Sequence, residues 1–164
     1  MTPCSKIIDF FYNKVEKDKD FFHYCEMSDE EITKIINVRA FNYLDEAVKR
    51  ILMETTPSIE FNIVTIDDEH FFEDDLTQRE ILLLVSIMYE IYLSRDIAYL
   101  KCLNVNYTST DLRVFDPSNA RKTFMEMYTF ISNENKGLLD IYKNSDRNTG
   151  AFKVLDFASY NSEE

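Results

Sequence analysis

The side chains best equipped for chemistry lie between positions 67 and 75. There Asp67, Asp68, Glu69, Glu73, Asp74 and Asp75 surround His70, Phe71 and Phe72. A hard divalent cation takes several oxygen ligands at once, and this acidic loop has the carboxylates to supply them. With His70, the same cluster would be the site of a metal-dependent nuclease or another hydrolase. The stretch has neither the glycine turn nor the alternating ligand positions of a calcium loop. A solvated acidic loop ahead of a helix N-terminus, favoured by the helix dipole, accounts for it with fewer assumptions. His23 and Cys25 form a conceivable ligand pair beside an aromatic group, but two further ligands are not apparent. The chain has no nucleophile set beside a base. Its two glycines, Gly137 and Gly150, are too few for a phosphate-cradling loop. The adjacent carboxylates at 30–31, 45–46 and 68–69 fall at helix starts or on exposed faces, and such pairs arise by chance among 30 acidic residues. The reading is therefore a non-enzyme, with no catalytic residues, no metal site and no cofactor.

The 164 residues carry 30 acidic and 18 basic side chains, a formal net charge of −12. This leaves no surplus of cations to displace counterions from a phosphate backbone, so a direct grip on nucleic acid is disfavoured. An acidic surface suits a passage through which DNA slides without sticking, or an imitation of DNA offered to a basic partner. Cys4, Cys25 and Cys102 form no even disulfide set, which points to reduced thiols in the cytosol. The amino terminus has no cleavable apolar core, and no apolar run reaches the roughly 20 residues of a membrane span.

The elements that would position these groups are helices. With 13 Phe and 10 Tyr but 2 Gly and 3 Pro, the composition favours long helices over tight turns. The central one spans 78–103, apolar on nearly every side, and Ser86 and Glu90 are its only polar residues between Ile81 and Leu93. Thr77 caps it, Glu80 reaches back, and Leu76 staples to Ile81. Ser28, Glu31, Met27 and Ile32 open a second long helix in the same way, which ends at Thr55–Pro57. Thr2 as cap and Pro3 as first helical position start another that runs to about Lys17, followed by an aromatic plug of Phe21, Phe22 and Tyr24. Residues 58–66 alternate with a period of two and predict an extended segment. Residues 104–116 read as a connector with a short turn at 112–115. Asp116 and Pro117 then open a last helix to about Tyr142, bent near Asn133, Asn135 and Gly137. The expected fold is all-α: a bundle of about four helices over 1–145, with a short extended, possibly β, segment and a C-terminal arm over 146–164. Phe152, Val154, Leu155, Phe157 and Tyr160 make that arm apolar enough to dock on this fold or on a neighbouring subunit.

The strings FFEDDLTQREILLLVSIMYEIYLSRDIAYLK and YTSTDLRVFDPSNARKTFMEMYTFISNENKGLLDIY, preceded by SDEEITKIINVRAFNYLDEAVKRI, resemble small bacteriophage head-tail connector (neck or adaptor) proteins over most of 28–145. The resemblance implies a structural virion protein in the phage neck, assembled in the host cytoplasm. Its copies would form a homo-oligomeric ring below the portal, contact the portal and tail or further neck proteins, and leave an axial channel. DNA would pass through that channel without sequence-specific binding, and no membrane would be involved. The alternative from a different class is an acidic regulatory or DNA-mimic protein that covers a basic host partner.

Overall fold

The fold is described from a computed structural model covering residues 1–16, 19–22, 27–106 and 117–153; the side chains of 19, 20, 96–106 and 117–121 are left out. His23, Tyr24, Cys25, Asp116 and the turn at 112–115 lie outside the described residues, as does the side chain of Cys102.

The chain is largely helical and carries a small antiparallel sheet. In order, the elements are β1 (Thr2–Pro3), α1 (Cys4–Val15), α2 (Lys19–Phe22), α3 (Asp29–Glu54), β2 (Ile63–Ile66), β3 (Glu69–Phe72), α4 (Gln78–Asn106) and α5 (Pro117–Asn144). Helix α4 is the centre, packed against α1, α3 and α5. Its near-continuous apolar surface is used on several sides: Ile81, Leu83, Leu84, Val85, Ile87, Met88, Tyr92 and Leu93 are all buried. The buried set of α3, which is Ile36, Ala40, Tyr43, Leu44, Ala47, Val48 and Ile51, follows the three-four spacing of its sequence. Its capping box is complete, with Ser28 Oγ accepting from the Glu31 N–H and Glu31 Oε2 accepting from the Ser28 N–H at 3.1 Å. Phe11 of α1 meets Phe21, Tyr43 and Tyr92 edge-on, with ring centroids 5.7 to 6.2 Å apart. This aromatic contact joins α1, α2, α3 and α4.

The largely helical class stands, and the expected extended segment belongs to a small sheet: residues 63–66 and 69–72 form a hairpin that β1 joins at the other edge of β3, in the order β1-β3-β2. Other expectations are corrected. Thr2 and Pro3 are that edge strand, paired with Phe72 and Phe71, and α1 begins at Cys4 with Pro3 as its cap. Proline fits here because an edge strand does not need every N–H. Thr2 Oγ1 instead accepts a hydrogen bond from the Leu76 N–H at 2.8 Å. The extended segment starts at Ile63 rather than 58. The buried Phe61 has φ 53°, a left-handed backbone that interrupts any strand, and its ring packs edge-on against Phe72. The acidic stretch is likewise not a single loop, since Glu69–Phe72 is strand β3.

Helix α5 runs unbroken through Asn133, Asn135 and Gly137. Asn135 is fully buried. Its Nδ2 donates to Ser86 O at 3.1 Å and Glu90 Oε2 at 2.7 Å, and its Oδ1 accepts from Ser86 Oγ at 2.7 Å. Gly137 faces open space, with nothing near where a Cβ would lie. Gly137→Ala is therefore expected to stabilise the fold by about 0.5–1 kcal/mol through helix propensity, whereas Phe11→Ala should cost about 3–5 kcal/mol by opening a cavity among four packed elements. Urea unfolding followed by far-UV circular dichroism checks both.

Candidate functional site

The acidic residues are held by the β2–β3 hairpin and the link to α4. Ile66 pairs with Glu69, so Asp67 and Asp68 are the two-residue turn, with φ 51° and 64°. Positive φ at both positions is what a type I′ hairpin turn requires, and aspartate tolerates it better than most residues. This turn was not legible from the sequence because it lacks the usual Asn-Gly or Asp-Gly pair. Asp67, Asp68 and Glu69 are exposed, whereas Glu73 Oε2 accepts from Asn62 Nδ2 at 3.1 Å. Asp74 is exposed, and Asp75 pairs with the Met1 ammonium, whose hydrogen bond holds its carboxyl below the usual carboxylate range. Among the described residues, no three His, Cys, Asp or Glu side chains converge as metal ligands. The hairpin turns its carboxylates outward and spreads them along the chain.

His70 stands beside a cleft of about 420 Å³ bordered by Cys4, Asp9, Tyr12, Asn37 and Phe41. Its ring lies 4.4 Å from that of Phe41, and its Nδ1 is 2.9 Å from Thr65 Oγ1. Burial pushes the Cys4 thiol up to about 11, so it stays protonated at neutral pH and is a poor nucleophile. Burial and the Asp9 charge push Tyr12 up to about 12, too high for proton transfer at neutral pH, and its hydroxyl donates to Asn37 Oδ1 at 2.8 Å. The cleft thus brings a thiol and an imidazole to one place without activating the thiol.

A different site forms where α5 ends, and the sequence did not announce it. The Arg147 guanidinium holds the carboxylate of Glu80 from two sides, Nε to Oε1 at 2.8 Å and Nη2 to Oε2 at 3.2 Å. Tyr142 Oη donates to Oε1 at 3.1 Å, and the Thr77 N–H and hydroxyl donate to Oε2 at 2.7 and 2.9 Å. Glu80 is 0% exposed. Burial raises its carboxyl pKa, but the Arg147 and Thr77 hydrogen bonds outweigh that and hold it below the usual range. Arg147 also donates to Asp75 O, so the segment after α5 is fastened at the start of α4. Within that segment, Gly150 has φ 68° and lies so close to the Arg79 guanidinium that a Cβ would overlap it.

This fastening leaves an apolar groove of about 360 Å³ between α4 and α5, lined by Leu82, Leu83, Leu138, Ile141 and Phe152. Phe152, the first residue of the sequence-predicted arm set, is 68% exposed at its rim, and Ser145 pairs with it in an antiparallel bridge. Val154, Leu155, Phe157 and Tyr160 lie outside the described residues. The only sequence signal for the anchor was an arginine within an otherwise polar break. Among the described residues, no helix is long and apolar enough to cross a membrane. Comparison with protein-family models, curated proteins and solved structures finds no match to this chain.

Replacing Arg147 with Met leaves a buried, half-satisfied carboxylate and should cost about 3–5 kcal/mol at pH 7. The sign of the pH dependence follows from the depressed folded pKa of Glu80. Its contribution is fully present above the unfolded value of about 4.3 and is lost as pH falls through the lower folded value. Glu80→Gln should therefore be less stable than the parent at pH 7 and show a shallower loss of stability below pH 4.3, read from urea midpoints across that window.

Proposed function

We propose that the chain is a structural protein, a helical-bundle subunit of a bacteriophage head-tail connector that assembles as a ring below the portal around a DNA channel. The observation that carries the self-association is an uncovered apolar stripe on α5. That helix has two apolar faces. Phe124, Tyr128, Ile131, Leu139 and Tyr142 turn towards the core, while Met127, Phe130, Leu138 and Ile141 share a second face and are exposed, Phe130 at 69%. A solvated helix needs only one apolar face. At a net charge of −12, copies repel one another at long range, so association has to come from apolar contact of this kind. We assign the Met127 and Phe130 half of the stripe to a second copy of this chain. The acidic balance supports the channel role, because negatively charged walls reduce adhesion of passing DNA. The phage context and the portal as partner rest on the resemblance of the sequence.

The test is the mass of the full chain in solution, alone and with a candidate portal protein, by light scattering or native mass spectrometry. A closed ring, formed alone or on the portal, is expected. Phe130→Glu should abolish it and leave unfolding stability within about 0.5 kcal/mol, as for other exposed substitutions. A chain that stays monomeric in both conditions would replace this reading with the acidic regulator that covers a basic partner.

A further inference from the structure

The groove beside Phe152 is built at the place where the described chain stops, and the direction of the chain there matters. Residues 145–153 form a tight reversal. Asp146 N donates to Ala151 O at 2.7 Å, Gly150 N donates to Asp146 O at 2.8 Å, and Lys153 N donates to Asn144 O at 2.7 Å. With the antiparallel bridge between Ser145 and Phe152, these bonds bring Lys153 alongside the last turn of α5, running opposite to the helix. Lys153 Nζ reaches back to Lys143 O at 3.3 Å. At Phe152 and Lys153 the chain therefore runs antiparallel to the end of α5, with Phe152 on the rim of the groove that Ile141 lines.

We propose that residues 154–164 of the same chain seat in the groove between α4 and α5 and cover the C-terminal half of the α5 stripe. The chemistry on both sides matches. The groove offers Leu82 at 54% exposure, Ile141 at 51%, and Leu138, all apolar and uncovered, and the segment brings Val154, Leu155, Phe157 and Tyr160. The length also matches. Eleven residues in extended form reach about 35 Å, while the stripe from Ile141 back to Met127 measures about 21 Å along the helix. The occupant is the chain's own segment because Arg147 fixes its root on the groove's own protomer, so its effective concentration there far exceeds that of a second copy in dilute solution. Docking does not depend on whether the copies go on to form a ring.

The experiment places the photo-crosslinking residue p-benzoylphenylalanine at position 157 of the full chain, irradiates at low protein concentration, and maps the products by mass. Cross-links from position 157 to peptides carrying Leu82, Leu138 or Ile141, in products of monomer mass, are expected. Leu138→Glu in the same chain should lower their yield about tenfold, since a buried carboxylate opposes docking. Far-UV circular dichroism confirms that this variant is folded. Absence of these cross-links, or a yield that Leu138→Glu leaves unchanged, would overturn the proposal. Products found only at dimer mass would overturn it too, and would assign the groove to the arm of a neighbouring copy.

Discussion

Glu80 has no contact with water, and a carboxylate in that position is stable only if hydrogen bonds and an opposite charge replace its hydration. The chain supplies them from three places: Thr77 at the start of α4, Tyr142 near the end of α5, and Arg147 in the segment beyond it. What would otherwise be an ordinary helix cap becomes the point where the N-terminus of the central helix, the C-terminus of the last helix and the chain reversal are held together. This one carboxylate ties the reversal to the start of α4, while backbone hydrogen bonds set the direction of residues 151–153. If it were unpaired, α4 would lose a cap satisfied from inside the fold, and Arg147 would no longer tie the reversal to the start of α4.

A second polar set works the same way about two to three turns further along α4. Ser86 and Glu90 are four residues apart on α4, and Asn135 of α5 bonds to both, while Arg50 of α3 pairs with Glu90 at 2.8 Å. Buried groups that must find each other restrict how three helices can slide, because a shift of one turn would leave each without a partner. Apolar packing along α4 supplies most of the burial but tolerates many registers. The polar contacts select one.

The outside of the molecule divides into two kinds of surface. The β2–β3 hairpin presents the exposed carboxylates of Asp67 and Asp68 at its tip and of Glu69 beside it. The outer face of α5 presents Met127, Phe130, Leu138 and Ile141. Charge of one sign opposes close approach at a distance, whereas exposed apolar side chains favour contact at short range. Cys4 and His70 border one cleft, and burial keeps the thiol protonated.

Much of the fold was legible locally. The capping boxes at Ser28 and Thr77, the three-four spacing of the α3 core, and the apolar run of α4 are short-range patterns, set by hydrogen-bonding reach and helix pitch within a few residues. The net charge and the scarcity of glycine could likewise be read without coordinates. The sheet could not, because β1 and β3 are separated by about seventy positions and Thr2 reads as readily as a helix cap as it does an edge strand. The partners of Ser86, Glu90 and Glu80 were equally hidden. Their polar character within an apolar helix signalled that partners were needed, but Asn135, Arg50 and Arg147 reach them only once three helices have packed, and no local spacing encodes that meeting. Local patterns set the helices, their starts and the acidic balance, because caps and helix pitch act within a few residues; which buried charges pair was decided only by packing, because those partners lie dozens of positions apart.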